Sequence, residues 1–578
     1  MNEIESGLLA DVSLDEPWGL VERFSTFKRE HPTDVARGMD DVVSRLRAHG
    51  VEVTVHEPSL YLSLPGEARV EAGGKTFRAK PPAYSVDAKD GLEGELLYVA
   101  ANQADDIDTI FDKKLDPDDP AANRVAGKIV ISEGFASPGM ISQFEELGAI
   151  GVIGINPGVD IHWGICTTIW GTPDLDDLPR KPGVVSVAVS KPDGEELIAL
   201  AREGATIKLF TDMEEGWFTS TLPDVFIPGT EEPEKYVLLH GHLDSWDVGV
   251  GDNATGDATM LEVARVLWKN RDKLKRSVRI AWWPGHSTGR YAGSTWFADE
   301  FALDLEANCV AQVNCDSPGC RWATEFENLS LMSEADSFIA DIVKEVADKP
   351  IGGERPHRAG DYSFNNIGIS SYFMLSSTMT TALREEKGYY AVGGCGGNIA
   401  WHTENDTLEI ADKDSMLRDI KVYLLAVFRN ANAEILPFDW RATAKEFLDT
   451  ISGYQKTAGD RFDLGPAKEA AETMAAALDD LYAGIESGAV APETANTIIQ
   501  DLARILVPIN FTREARFRHD PALTVPPLPT IATVKDLDYH QNNGTLGFAV
   551  TQLVRGRNRL ISALRQATRH IELARKAA

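Results

Sequence analysis

Residues 236–256 read YVLLHGHLDSWDVGVGDNATG, and this stretch decides the fold. It begins with an apolar run over residues 236–239, which has the length and composition of a buried strand. Polar side chains follow at once (His240, His242 and Asp244), and a glycine-rich turn then leads into an apolar helical pattern. A buried strand, a turn and a helix in this order are typical of the units that build a parallel sheet covered by helices.

Three further apolar runs share this character, at residues 278–283, 309–313 and 369–374. Helical patterns separate them, as in residues 260–267, where the apolar side chains recur on one face. We therefore predict an α/β fold with a mostly parallel or mixed sheet and helices on both faces. In open sheets of this kind, ligands bind just beyond the carboxyl ends of the strands. The residues after each apolar run are thus the candidates for a functional site.

Working outward from this sheet, we divide the chain into four regions, at residues 15–88, 89–215, 216–438 and 439–578. The second region carries two β-branched or glycine-rich apolar runs (residues 128–131 and 148–155) around a helical pattern, which predicts a separate α/β module. The last region carries helical apolar stripes, so we expect it to be mainly helical.

Composition excludes several classes of function. The chain has 578 residues, of which 43% are hydrophobic and 25% charged, so it is globular rather than disordered. Its formal net charge of −32 argues against nucleic acid as a partner. There is no uninterrupted apolar stretch of membrane-spanning length, and the acidic N-terminus lacks a secretory signal. The five cysteines form no CxxC pair, which favours a reducing, cytoplasmic location.

The strand ends collect residues that bind metals. His242 follows the first apolar run, Asp252 lies in the glycine-rich turn, Asp316 follows residues 309–313, and His402 precedes a later helical stretch. Two imidazoles and two carboxylates suit a borderline divalent cation such as zinc. A carboxylate can also bridge two metals, and the neighbouring Asp244 is placed to orient a histidine ligand.

Two motifs resemble a known family. HGHLDSW (residues 240–246) and GDNATG (residues 251–256) are similar to the metal site of co-catalytic zinc aminopeptidases, in the branch of glutamate carboxypeptidase and the transferrin receptor. AGKIVISEG and GAIGVIGINPG resemble the protease-associated domain that this branch inserts into its peptidase domain. The last region resembles its helical dimerisation domain, so the resemblance implies a homodimer.

The resemblance also implies roles for the metal-binding residues. His242, Asp252 and Asp316 would hold one zinc ion, with Asp252 bridging to a second zinc ion bound by His402. Asp244 would support His242 from behind. In the family, a water molecule held between the metals attacks a peptide carbonyl, so the resemblance implies a hydrolase that acts on a small peptide or amide.

The sequence departs from the family at one strand end. After residues 278–283 the family has two consecutive glutamates, first a general base and then a metal ligand, whereas this chain reads PGHSTGRYAGS over residues 284–294. His286 and Ser287 align with the two glutamates. Serine is a poor zinc ligand, so His286 either replaces the missing ligand or acts as the base. We therefore expect either one zinc ion per chain or an altered pair of zinc ions. The expected reaction is hydrolysis of a C–N bond or elimination from an amino-acid-like substrate.

Two other classes of function stay open. GHSTG matches the G-x-S-x-G nucleophile elbow of serine hydrolases, with Ser287, Asp316 and His402 in the required order. A non-catalytic, receptor-like binding protein is the other class, because the two glutamates are lost. Retention of clustered carboxylates argues against it, since buried charges without a metal cost free energy.

Four further residues are predicted to contact the substrate. Trp401 stands where the family has an oxyanion-stabilising tyrosine, and its indole N–H is a donor. Asp361 and Tyr362 precede a strand, and Arg384 lies near a glycine-rich loop where it would meet a substrate carboxylate.

Overall fold

The computed structural model describes residues 1–104, 122–373 and 375–577. In these residues the strands are β1 (Thr54–His56), β2 (Ser59–Ala72), β3 (Lys75–Ala79), β4 (Leu92–Tyr98), β5 (Ile129–Glu133), β6 (Gly151–Ile155), β7 (Val185–Val189), β8 (Thr206–Thr219), β9 (Leu222–Ile227), β10 (Glu232–His242), β11 (Arg276–Trp283), β12 (Cys309–Asn314) and β13 (Ser371–Tyr372).

The helices of the same residues are α1 (Glu3–Ala10), α2 (Asp15–Phe24), α3 (Pro32–Ala48), α4 (Pro138–Glu146), α5 (Lys191–Arg202), α6 (Thr255–Lys269), α7 (Ala292–Glu300), α8 (Ala302–Asn308), α9 (Asp336–Ala347), α10 (Thr381–Glu386), α11 (Lys413–Asn432), α12 (Trp440–Ala458), α13 (Gly465–Glu486), α14 (Pro492–Phe511), α15 (Leu537–Asn542) and α16 (Leu546–Ala577).

A six-stranded sheet carries the candidate site. Its strand order is β1-β9-β11-β10-β12-β13. The strands β11, β10, β12 and β13 run parallel to one another, and β9 pairs antiparallel with both β11 and β1. The mixed, largely parallel sheet predicted from the apolar runs is confirmed. In register, His242 of β10 pairs with Trp283 of β11, and His240 pairs with Asn314 of β12. The carboxyl ends of these three strands therefore lie level at one edge.

Helices cover both faces of this sheet. The helix α6 follows β10 directly and is buried along almost its whole length, because its apolar side chains face the sheet while α2, α3 and α11 cover its other sides. Val237, Leu239 and Ile280 belong to the same fully buried core. The run at residues 369–374 forms only the two-residue strand β13, and Met374 lies outside the described residues.

A second, seven-stranded sheet forms the inserted module, in the order β3-β2-β8-β4-β5-β6-β7. The predicted runs at residues 128–131 and 148–155 are found in β5 and β6, with α4 between them. The division at residue 89, however, does not coincide with the division between the sheets. Residues 59–72 pair with Lys208–Thr219 of β8 along a long antiparallel ladder, so this sheet begins near residue 59. The ladder joins segments far apart in sequence, which alternation of side chains alone does not reveal.

The region after residue 439 is helical, as predicted, and packs on the sheet domain. The helices α13 and α14 both contact α16, and their buried side chains are continuous with the core of the six-stranded sheet. Arg504 of α14 is fixed by four backbone carbonyls of the sheet domain, among them those of Cys309 and Gly368. All five cysteines are buried thiols. Across the described residues, no helix combines the length and apolar character needed to cross a membrane.

Candidate active site

Four predicted metal ligands meet at the carboxyl edge of the six-stranded sheet. The Nε2 atom of His242 lies 3.0 Å from Oδ1 of Asp252 and 3.6 Å from Oδ2 of Asp316. The Nε2 atom of His402 lies 3.1 Å from Oδ2 of Asp252. The two oxygens of Asp252 thus face two different imidazoles, which is the arrangement of a bridging carboxylate. We refer to His242, Asp252, Asp316 and His402 as the ligand cluster.

The ligand cluster favours the binding of a positive charge. His242 Nε2 and Asp252 Oδ1 are both buried, and no hydrogen bond of acceptable alignment satisfies either atom within the described residues. Burial by itself would lower the pKa of His242, yet Asp252 and Asp316 outweigh burial and raise this pKa well above its usual value. His242 and His402 in turn hold the pKa of Asp252 well below its usual value, against the effect of burial. Imidazole nitrogens and carboxylate oxygens are the donors that zinc takes, so these residues fit a zinc ion.

Backbone groups orient both histidines of the ligand cluster. His242 Nδ1 lies 2.8 Å from the carbonyl oxygen of Asp244, and His402 Nδ1 lies 3.0 Å from the carbonyl oxygen of Trp163. A carbonyl only accepts, so each Nδ1 carries a proton and each Nε2 is the nitrogen that faces the centre of the cluster, where a cation would take the place of its proton. Trp163 belongs to the inserted module, and its N–H also donates to the carbonyl of His402 at 2.8 Å.

Asp406 holds the turn that carries Asp252. Its carboxylate accepts the backbone N–H groups of Gly251, at 2.7 Å, and of Asp252, at 3.0 Å. The side chain of Asn253 adds bonds to the carbonyls of His242 and Cys315, at 3.1 and 2.9 Å. The turn is therefore tied to the ends of both β10 and β12, which fixes the bridging carboxylate between them.

The loop after β11, residues 284–294, is the altered part of the site. The imidazole of His286 stacks on that of His242, with 3.8 Å between ring centroids and 19° between planes. His242, His286 and Asp316 each offer one ligand atom within 4.8 Å of the others, so His286 belongs to the same group. Ser287 is buried beside it, and its backbone N–H donates to Asp244 at 3.0 Å.

Asp244 and Asp361 have different positions from those predicted. The carboxylate of Asp244 accepts the N–H groups of His286 and Ser287, so Asp244 supports the loop, while only its backbone carbonyl meets His242. Asp361, predicted to contact substrate, is fully buried behind His286, and its Oδ2 lies 2.9 Å from His286 Nδ1. Burial raises the pKa of Asp361, but His286 outweighs this effect and lowers it overall. Asp361 Oδ1 also accepts from Ser294 Oγ at 2.8 Å.

Of the other residues predicted to contact the substrate, one lies at the cavity and two do not. Trp401 lines the cavity beside the ligand cluster and stacks on His402, with ring centroids 3.7 Å apart. Tyr362 is fully buried and Arg384 lies on α10, and neither of them lines this cavity. Sequence reasoning missed Trp163, Asp406, Arg290 and Arg358. The position of Arg290 inside the altered loop could have indicated that it belongs to the site, whereas the position of Trp163 in the sequence gives no such indication.

The cavity has a volume of about 70 Å³ and lies between three parts of the chain. The sheet domain contributes Asp252, His286, Asp316 and His402. The inserted module contributes a wall that includes Phe135 and Trp163, and the region after residue 439 contributes Ala522 and Thr524. A cavity of this size, closed on several sides, suits a small substrate.

Parts of the chain are similar to known proteins. Residues 225–427 match the model of Peptidase family M28. A probable glutamate carboxypeptidase of Zea mays is 24% identical over 480 residues, covering 71% of this chain and 65% of that protein. An aminopeptidase of Mus musculus is 33% identical over 129 residues, which are 21% of this chain and 16% of that protein. The chain thus spans less than two thirds of the length of either relative.

Solved structures share the fold. A zinc aminopeptidase from Bacillus subtilis superposes with a TM-score of 0.54 at 16% identity, covering 73% of this chain and 96% of that one. A peptidase M28 precursor from Shewanella amazonensis gives a TM-score of 0.54 at 17% identity, with 75% and 97% covered. At these identities the likeness concerns the fold alone.

Proposed function

Because residues 225–427 match the model of Peptidase family M28, we propose that the protein is a zinc-dependent hydrolase of small peptide or amide substrates with an altered site. The observation that carries this proposal is the meeting of His242, Asp252, Asp316 and His402 at one sheet edge, where Asp252 faces both imidazoles beside a cavity. These four side chains would hold the metal. A bound zinc ion lowers the pKa of a water molecule and polarises a carbonyl group.

His286 serves this site through Nε2. The carboxylate of Asp361 accepts from Nδ1, so Nδ1 carries the proton and the lone pair of Nε2 is directed away from Asp361. Such a nitrogen either completes the set of metal ligands that Ser287 leaves short or takes the proton of the attacking water. The membership of His286 in one group with His242 and Asp316 supports the first use, and its pairing with a carboxylate is compatible with both.

The geometry argues against a serine hydrolase. A nucleophile elbow at Ser287 needs an imidazole nitrogen that accepts the serine proton. The two nitrogens of His402 face Asp252 and the carbonyl of Trp163, and Asp316 faces His242. The aspartate and histidine that such an elbow would need as partners are therefore engaged in the ligand cluster. A receptor-like binding protein is the second candidate, and the experiment below separates it from the hydrolase.

Metal analysis and hydrolysis of a dipeptide panel test the proposal together. We expect about one or two zinc ions per chain in the purified protein and turnover of part of the panel, because the buried donors remain uncompensated without a cation. The substitution His242→Ala should abolish both zinc binding and turnover. His49→Ala, which removes an imidazole that is half-exposed and lies outside the cluster, is the matched control and should change neither. Zinc binding without turnover of any amide would favour the binding protein, and protein that takes up no zinc would refute the metal site.

We also propose that the chain forms a homodimer through the helices after residue 439. The helix α16 exposes 79% of Phe548 and 60% of Leu573, apolar surface that a second subunit would cover. Light scattering during size-exclusion chromatography measures the mass directly. A mass near the 63.2 kDa of a single chain would refute the dimer.

A further inference from the structure

Residues 393–397 read GGCGG and form a turn beside the ligand cluster, where Gly393 lines the cavity. Cys395 is the one residue among them that has a side chain, and that side chain is fully buried. The turn packs closely on the aromatic wall of the cavity, since a Cβ atom at Gly394 would lie 2.7 Å from the ring of Trp401. We refer to residues 393–397 as the glycine turn.

The thiol of Cys395 contacts the segment that carries the bridging carboxylate. Its Sγ atom donates to Oδ2 of Asp406 at 3.5 Å, and the same oxygen accepts the backbone N–H of Asp252 at 3.0 Å. The sulfur also packs on Gly251, where a Cβ atom would lie only 2.7 Å from it. The thiol therefore limits where the backbone of Asp252 can lie.

The backbone of Cys395 reaches the second carboxylate of the ligand cluster. Its N–H donates to Oγ of Ser317 at 3.0 Å, and this hydroxyl donates to Oδ1 of Asp316 at 3.1 Å. The other oxygen of Asp316, Oδ2, is the one that faces His242. Ser317 thus engages one carboxylate oxygen and leaves the other directed to the centre of the cluster. Such partners fix the orientation of a metal ligand.

Cys395 has an uncommon backbone conformation. Its φ angle is 53°, in the left-handed region that residues with a side chain rarely adopt. Glycine takes this conformation at little cost, so the turn carries a cysteine where a glycine would be less strained. Strained residues of this kind occur mainly where function requires them. In this conformation the N–H of Cys395 meets Ser317 while its thiol meets Asp406, so one residue supports both carboxylates.

Burial keeps the thiol of Cys395 protonated. Burial raises the pKa of this thiol well above its usual value, and the negative charge of Asp406 adds to the increase. The sulfur is therefore a hydrogen-bond donor and not a thiolate that would itself take a metal. Cys395 acts on the ligand cluster through Asp406 and Ser317.

We propose that Cys395 is a positioning residue of the metal site, which holds Asp252 and Asp316 in the orientation that binds zinc. This inference rests on the proposed function for the identity of the metal and for the reaction. It gives Cys395 no contact with the substrate. Loss of the thiol should therefore act on zinc affinity and on kcat, and not on KM.

Zinc affinity, measured by competition with a chelator, tests the proposal on purified variants. Cys395→Ala should weaken zinc binding by about three- to tenfold, because it removes a weak donor that acts one residue away from the ligands. Cys395→Ser restores a donor and should recover part of the loss. The matched control is Cys309→Ala, which removes another fully buried thiol, bonded to the carbonyl of Ala311 at 3.2 Å, and should leave the affinity unchanged.

Natural zinc affinity in folded Cys395→Ala would overturn the proposal, and so would a loss that Cys395→Ser does not reduce. On the dipeptide panel, Cys395→Ala should lower kcat while KM stays within about twofold, and a rise in KM alone would also overturn it. Failure of the proposed function looks different. Natural protein that binds no zinc would refute the metal site and this inference together. If natural protein binds zinc without turnover, the affinities still decide the role of Cys395.

A measurement on the natural protein decides the proposal even if Cys395→Ala does not fold. Labelling of Cys395 and Cys309 by N-ethylmaleimide is followed by peptide mass spectrometry in zinc-loaded and zinc-free protein. Zinc held with the help of Cys395 should in turn stabilise the glycine turn. Removal of zinc should therefore raise the labelling rate of Cys395 at least about fivefold more than that of Cys309. An equal change at both cysteines would overturn the proposal, because it would mean that zinc stabilises only the protein as a whole.

Discussion

The ligand cluster and the altered loop stand at neighbouring strand ends of one sheet, and they differ in charge. The cluster follows β10 and β12 and pairs two imidazoles with the carboxylates of Asp252 and Asp316. The loop follows β11 and offers the imidazole of His286, the hydroxyl of Ser287 and the cation of Arg290. Where the resembling family has two carboxylates, this loop has none. Such a change reduces the anionic ligands available to a metal.

Asp244 connects the two parts. Its backbone carbonyl meets His242, and its carboxylate accepts the N–H groups of His286 and Ser287, at 2.9 and 3.0 Å. Asp244 thus positions both His242 and the altered loop. A change of side chain in the loop leaves this backbone support intact, because the bonds to Asp244 come from backbone N–H groups.

Among changes in the altered loop and in the residues that support the two parts, the largest effect is expected for His286→Ala, which removes the imidazole that the loop places against His242. Loss of a metal ligand or of a general base should lower kcat by about 10²- to 10⁴-fold. Zinc content distinguishes the two uses, since it should fall only if His286 is a ligand. The matched control is Ser287→Ala, for which we expect less than about a threefold change in kcat. Near-natural kcat for His286→Ala would show that the cluster works without the loop.

A smaller effect is expected for Asp361→Asn, which leaves both imidazoles in place. The variant no longer offers a carboxylate to Nδ1 of His286, so the ring is held less firmly. We expect kcat to fall by about 10- to 100-fold, with KM nearly unchanged. The variant Asp361→Glu should recover part of the loss. A rise in KM alone would instead indicate that Asp361 contacts substrate, as its sequence position suggested.

The smallest effect is expected on the cluster side, for Asp247→Asn. Asp247 Oδ2 accepts from the indole N–H of Trp163 at 2.9 Å, and the backbone of Trp163 holds His402 from both its N–H and its carbonyl. Weakening one such bond should reduce zinc affinity by about three- to tenfold, measured by competition with a chelator. Asp160→Asn, at an exposed bond to Asn405, is the control. An unchanged affinity would mean that the inserted module does not contribute to the metal site.

Much of the architecture was predictable because it depends on local patterns. The apolar runs before His242, His286 and Asp316 identify β10, β11 and β12, and parallel strands bring their carboxyl ends to one edge. The meeting of His242, Asp252 and Asp316 follows from that geometry. His402 comes from a loop far along the chain; its residue type made it a candidate ligand, and its pairing with the bridging Asp252 was implied by the resemblance.

Other features depend on contacts between distant segments. The long strand β2 joins the sheet of the inserted module through β8, about 150 residues later in the chain, so this sheet begins before the predicted division at residue 89. Asp361 and Arg384 were both expected at the substrate, yet one is buried against His286 and the other lies on α10. Their residue types suit both roles, and only the packing of loops decides between them.

The sequence by itself determined the parallel strands, the edge at which they end and the side chains placed there, because alternation and apolar runs act over a few residues. Only the tertiary structure decided that the carbonyl of Trp163 orients His402, that Asp361 orients His286, and that Arg290 and Arg358 line the same cavity. Each of these contacts joins segments that are distant along the chain. Burial and hydrogen bonding select such contacts during packing, and no local sequence pattern predicts them.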